Sequence, residues 1–246
     1  MNFQYSDATF DNELSKIEAM KWRPWIGKKY RSSNQRLVVL GESHYNWGDG
    51  EEDCRKAEAR LGRVDFNREL IEHVHGIGQR TTQRFYRNVE RLMFQASSPA
   101  VIETDSFWKS VAYFNLLQVR MENHKARPAT PWPMCVKGWE VTVEICKIIK
   151  PTHILVGGSN ACTFNAHKYA IEQNGGQVTH ESSGIKKIGR FHARYRRASI
   201  NSNEISFVFV RHPSAHFSWE RWGAFLFKQS PDLSMLMEKC RGTGLA

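Results

Sequence analysis

Four polar side chains follow directly on an apolar run in RLVVLGESHY (36–45): Glu42, Ser43, His44 and Tyr45. A carboxylate and an imidazole two positions apart can act as an acid/base pair in a hydrolase. The same residues also suit the caps of a strand-to-helix turn. A second polar cluster, RHPSAH (211–216), follows the apolar run SFVFV. Pro213 holds His212 in extended backbone. Ser214 is placed to cap a helix beginning near Ala215 or to contact a ligand. Asn115 interrupts the apolar stretch SVAYFNLLQV. A buried amide must be hydrogen-bonded, either to backbone or to a ligand. Its paired donor and acceptor suit the Watson–Crick edge of a nucleobase. The segment KKIGRFHARYRR (186–197) contains six Lys or Arg in twelve residues, including Lys187, Arg190, Arg194 and Arg196, with Phe191 and Tyr195 between them. It reads either as a solvated face or as phosphate contacts with aromatic stacking. It has no HxH or HExxH spacing, and no metal or other cofactor is expected.

The elements that must carry these groups alternate between strand and helix. A helix is expected over 7–21, with Phe10, Leu14, Ile17, Ala19 and Met20 on its apolar side. RLVVLG reads as a buried parallel strand. An insertion of about 48–80 reads as solvated, mobile or helical, and carries the further carboxylates Asp49, Glu51, Glu52 and Asp53. TTQRFYRNVERLMFQAS has helical spacing, with Thr81 or Thr82 as its cap. A buried segment at 111–119, a helix ending before Pro151, a strand in THILVGG and a helix at 160–173 follow. FHARYRRASI and ISFVFV read as paired strands around NSNE. A last helix contains Trp219, Trp222, Phe225 and Leu226. This order predicts a single α/β domain over 1–246, three-layered (αβα), with a central, mainly parallel, four-stranded sheet. Three strands end at Gly41, Gly157 and His212, and such carboxyl ends form the ligand crevice of an open α/β sheet.

The bulk properties agree with a globular chain. It has 246 residues, 41% of them hydrophobic, enough for a substantial core. No apolar run is long enough to span a bilayer. The N-terminus lacks the basic start and apolar middle of a signal peptide, so a cytoplasmic monomer is expected, with no membrane partner. The five scattered cysteines read as reduced thiols. The net charge of +10 favours a polyanionic partner, nucleic acid first.

Taken in order, the motifs resemble the uracil-DNA glycosylase superfamily. Its water-activating loop, GQDPY after a strand, is matched by GESHY. Its base-reading segment, LLLN followed by Ser-His and Gly-Trp, is matched by VAYFNLLQV, NHKARP and KGWEVTV. Its Gly-turn strand is matched by ILVGGSNA, and its closing HPS loop by FVFVRHPSAH. The resemblance spans about residues 35–225. It implies base flipping and hydrolysis of an N-glycosidic bond in double- or single-stranded DNA, with no cofactor. His212 is then expected to stabilise the leaving base, Asn115 to read it, and Tyr45 and His44 to line it. Ser214 and His216, with Lys187, Arg190, Arg194 and Arg196, are expected to hold DNA. The family's water-activating Asp falls at Ser43, and Glu42, directly after the Gly, becomes the carboxylate expected to orient water. The substrate implied is uracil or a modified pyrimidine, and the rewritten loop points to a base other than uracil, such as the glucosylated hydroxymethylcytosine met in antiviral defence. Two rivals stand beside this reading: a base-sensing DNA-binding protein without activity, and an unrelated hydrolase using Glu42 and His44.

Overall fold

Residues 37–41 form the strand their apolar pattern predicts, and it lies near the middle of a large sheet. The computed structural model describes residues 3–45, 50–121, 130–182 and 186–242. A 3-10 turn at Ala8–Phe10 leads into α1 (Asp11–Leu14), then β1 (Trp25–Ile26), β2 (Leu37–Gly41) and β3 (His44–Tyr45). Next come α2 (Glu51–Leu61), α3 (Phe66–Glu69), a π-helical turn at Leu70–His75, α4 (Arg84–Phe94) and α5 (Val101–Trp108). β4 (Ala112–Asn115) and β5 (Arg120–Met121) precede α6 (Trp132–Ile149), β6 (His153–Gly157) and α7 (Ala161–Gln173). The chain closes with β7 (Gln177–Glu181), β8 (Lys186–Ile188), β9 (Phe191–Ile200), β10 (Asn203–Val210), α8 (Trp219–Gln229) and α9 (Leu233–Arg241).

The sheet order is β1-β4-β2-β6-β10-β9-β7, with β8 added to β9, and β3 pairs with β5 separately. β4, β2, β6 and β10 are mutually parallel, β1 and β9 run opposite to them, and β7 and β8 each pair antiparallel with β9. The sheet is thus larger and more mixed than the four mainly parallel strands expected. β9 returns to β10 through Asn201 and Ser202, both at positive φ (50° and 61°), and so short a hairpin turn permits only antiparallel pairing.

Alternation along β2 sends Val38 and Leu40 to one face and Leu37 and Val39 to the other. The first face packs on α6 and α7 through Trp139, Val143, Phe164 and Ile171. The second packs on α4, α5, α8 and α9 through Val89, Phe107, Trp222 and Leu236. Helices therefore cover both faces of a single α/β domain. β2 and β4 are neighbours, but the chain leaves β2 for helices on the second face and leaves β4 for α6 on the first. Such divergence opens a crevice between adjacent strand ends.

Several local expectations are corrected. The helix over 7–21 stops at Leu14. Beyond it the chain turns so that Trp22 reaches Leu61, Phe66 and Leu70 and donates its indole N–H to the Leu61 carbonyl (2.8 Å). Burial of one large ring outweighs a weak helical preference. The α4 cap is Gln83, and Thr81 Oγ1 instead accepts from the Gln83 amide (3.2 Å). The insertion is helical but not solvated throughout: Phe66, Asn67, Arg68 and Glu69 are buried. The helix containing Trp219 is followed by one more, α9.

Candidate active site at the carboxyl ends of the parallel strands

The crevice between β2 and β4 holds a cavity of about 180 Å³. Glu42, Ser43, Tyr45, Asn115, His212 and Ser214 line it, and three residues not expected there, Phe85, Tyr86 and Tyr113, complete its wall. Backbone bonds clamp the two strand exits: Leu116 N–H donates to the Gly41 carbonyl and Leu117 N–H to that of Glu42, both at 2.9 Å. Residues 75 positions apart in sequence are thereby held side by side.

Asn115 is buried, and its Oδ1 accepts from the Tyr113 hydroxyl (3.2 Å), which lies 3.2 Å from the Tyr86 hydroxyl. The oxygen is thus engaged, and the amide NH2 is the group left to meet a ligand. Burial pushes the Tyr113 phenol up to about 12, so it remains a donor. Gly41 is required beside it: a Cβ there would meet Asn115 Oδ1 at 2.0 Å. His212 Nδ1 faces Ser214, whose amide (3.3 Å) and hydroxyl (2.7 Å) both point at it. The amide can only donate, so Nδ1 accepts and the proton of the neutral ring sits on Nε2. Ser214 therefore orients His212 and caps no helix, because the next helix begins at Trp219. The Phe85 ring lies 5.5 Å from that of His212.

Glu42 and His212 also line a second, wider groove of about 370 Å³. Its other walls are Gly158 to Ala161 at the start of α7 and the cations Arg190, Arg194 and Arg211. Arg211 lies 3.5 Å over the Phe191 ring, and Arg190 approaches the same ring at 5.3 Å. The α7 N-terminus adds the partial positive charge of its first-turn amides, of which that of Thr163 donates to Asn160 Oδ1 (2.8 Å). On the far side of Ser43, Tyr45 and Tyr86 lies a third chamber of about 360 Å³, reached past Arg60, Phe66, His75 and Gln83.

Not every expected residue joins the site. His44 touches the cavity wall but is buried between the edges of Trp22 and Phe66, and its Nε2 donates to Asn67 Oδ1 (2.8 Å). Burial lowers its pKa to about 4, so it is a neutral residue whose Nε2 is engaged with Asn67 rather than with Glu42, and it meets the cavity only as part of the wall. Ser43 Oγ is buried without a hydrogen-bond partner among the described residues, so no base is engaged with it to make it a nucleophile. Arg196 is corrected as a DNA contact. It is 2% exposed, and its guanidinium is consumed by Glu181 (2.6 and 3.0 Å), the Phe164 carbonyl (2.9 Å) and His167 Nδ1 (2.9 Å). Lys187 and His216 are exposed but line none of these cavities. Glu51, Glu52 and Asp53 form the first turn of α2, where they offset its dipole away from the cavity. Asp49 and the NHKARP segment lie outside the described residues. The sequence does contain an HxH pair, His73 and His75, but the rings diverge, one stacking on Phe3 and the other on Tyr86. Among the described residues no group of three or more His, Cys, Asp or Glu is placed to hold a metal ion, and no helix is long and apolar enough to cross a membrane.

Tyr113 was within reach of sequence reasoning, since it lies two residues before Asn115 and shares its strand face. Phe85 and the start of α7 come from distant segments that no local spacing connects. Set against known proteins, the chain matches no family model and no curated protein.

Proposed function

We propose that this protein is a monofunctional DNA glycosylase with a uracil-DNA glycosylase-like fold. The observation that carries the reading is the shared wall: Glu42 and His212 stand between a small aromatic cavity containing Asn115 and a groove lined by three arginines. A flipped nucleotide needs this division, with its base in the closed cavity and its phosphates in the basic groove. The bond to be broken then lies at the boundary. Glu42 orients water and offsets positive charge developing on the sugar. His212, with its proton on Nε2, donates to an oxygen of the departing base and stabilises its anion. The Asn115 NH2 pairs with a carbonyl oxygen of the base, and Phe85 lies against the ring.

The third chamber supports a base larger than uracil. A substituent at C5 that passed Tyr45 would enter a space lined by Arg60, His75, Gln83 and the unpartnered Ser43 hydroxyl, all suited to a polar group such as a sugar. A modified cytosine is therefore kept beside uracil as substrate, and antiviral defence beside repair as the setting. One observation favours the non-catalytic rival: Ser43 stands where the resembled family has its water-activating Asp. The engagement of His44 with Asn67 counts against the Glu42/His44 hydrolase.

The test is release of alkali-labile abasic sites from single- and double-stranded DNA carrying uracil, hydroxymethylcytosine or its glucosylated form. Breaks with one of these are expected, and His212→Ala should lower their rate by about 10²–10³-fold while DNA affinity stays nearly unchanged. Binding to every substrate without breaks would leave the sensor reading; equal loss of affinity and activity in the variant would remove His212 from the chemistry.

A further inference from the structure

Two of the five cysteines meet under the wall of the groove. Cys135 lies in the first turn of α6 and Cys162 in the first turn of α7, and their sulfurs are 3.2 Å apart. Cys162 also approaches the Thr130 carbonyl (3.5 Å). The two differ in access: Cys135 is fully buried, whereas Cys162 is half-buried and adjoins Ala161 in the groove wall. Of the two, Cys162 has the path to solvent, so a dissolved oxidant meets its sulfur first. Burial pushes the Cys135 thiol up to about 12, which keeps it protonated until a reactive sulfur lies beside it. Cys135 shares the first core with Cys146, and Cys240 lies in the second.

We propose that Cys135 and Cys162 form an oxidisable dithiol, with Cys162 the attacking and Cys135 the resolving thiol, and that its closure repositions the start of α7 in the basic groove. With a peroxide as oxidant, the Cys162 sulfur attacks one peroxide oxygen, the O–O bond breaks, and the leaving oxygen departs as water after taking up a proton. Cys162 is then a sulfenic acid. The Cys135 sulfur attacks it, the S–O bond breaks, and the hydroxyl leaves as a second water with the Cys135 proton. In balance, two thiols and one peroxide give one disulfide and two waters.

A disulfide holds its sulfurs about 2 Å apart, so closure must bring these two sulfurs about 1 Å nearer and fixes the start of α7 to that of α6. Gly158 to Ala161, which face Arg190, Arg194 and Arg211 across the groove, would move with α7.

The experiment treats the full chain with hydrogen peroxide at a small molar excess and maps non-reduced peptides by mass spectrometry. The expected product is a 135–162 cross-link, with a mass lower by about 2 Da, reversible by dithiothreitol. Cys135→Ser should instead accumulate sulfenic or sulfinic acid at Cys162, and Cys162→Ser should leave Cys135 reduced. Hydrogen exchange of 157–163 should differ between the oxidised and reduced protein. Over-oxidation of Cys162 in the wild type without a cross-link would overturn the pairing. A cross-link that leaves exchange at 157–163 unchanged would overturn the coupling to the groove. Neither readout depends on glycosylase activity.

Discussion

Ser214 sets which nitrogen of His212 carries the proton, and with it what the ring can do. A backbone amide and a hydroxyl at Nδ1 leave Nε2–H as a donor in the neutral ring, the form that stabilises a leaving anion. A second titratable residue outside the cavity makes a separate prediction. Glu90 is buried against Trp108, whose indole N–H donates to it (2.8 Å), and burial raises its pKa from 4.5 to about 7. The folded state thus holds a proton that the unfolded chain releases near 4.5. The stability tied to that proton is present below about pH 4.5 and is lost as pH rises through 7. Glu90→Gln should therefore raise stability at pH 8 by roughly 2–3 kcal/mol and change it little at pH 4.5. Urea denaturation at the two pH values checks this, and an equal effect at both would show that Glu90 is ionised in the fold.

At the scale of elements, the site depends on how closely β2 and β4 approach. Gly41 pairs with Asn115 across the parallel ladder, and the absence of a side chain lets the amide fill that space. Gly41→Ala should displace Asn115 and cost about 1–3 kcal/mol of stability through overpacking. Base excision should fall by at least about tenfold, the worth of one misplaced hydrogen bond, while DNA affinity is kept. Denaturant midpoints and excision rates measured together test this, and full activity would mean that Asn115 does not read the base. The β8–β9 hairpin matters in the same way. Its turn presents Arg190 to the groove, whereas β9 turns Arg196 inward against α7. Residues that look equivalent in a basic run therefore have opposite fates.

Across the whole molecule the charge is +10, and three of its cations, Arg190, Arg194 and Arg211, line the groove proposed to hold DNA. Each phosphate contact adds about 0.7–0.9 to the slope of log affinity against log salt. Arg190→Ala and Arg211→Ala should each reduce the measured slope by about that amount. Arg196→Ala should leave the slope unchanged and instead destabilise the fold by about 3 kcal/mol or more, since it strips a buried network of its cation. Fluorescence anisotropy over a salt series, with a melt of each variant, separates the two outcomes. A slope change from Arg196→Ala would place that residue in the groove after all.

The sequence by itself determined the alternation of strands and helices, the polar exits at Gly41 and His212, and the presence of a buried amide at Asn115. These are local signals: apolar runs of strand length, glycines at their ends, and an amide where only apolar groups are expected. Composition also located the basic segment, although not the direction each side chain takes. Only the tertiary structure decided that His44 is a core residue, that Arg196 is consumed, that Phe85 and Tyr86 wall the cavity, and that Cys135 meets Cys162. Each depends on contact between segments far apart in the chain, and residue type cannot report such contact. A histidine beside Trp22 and a histidine beside a ligand are the same letter; the difference is the desolvation and the partner that the fold supplies.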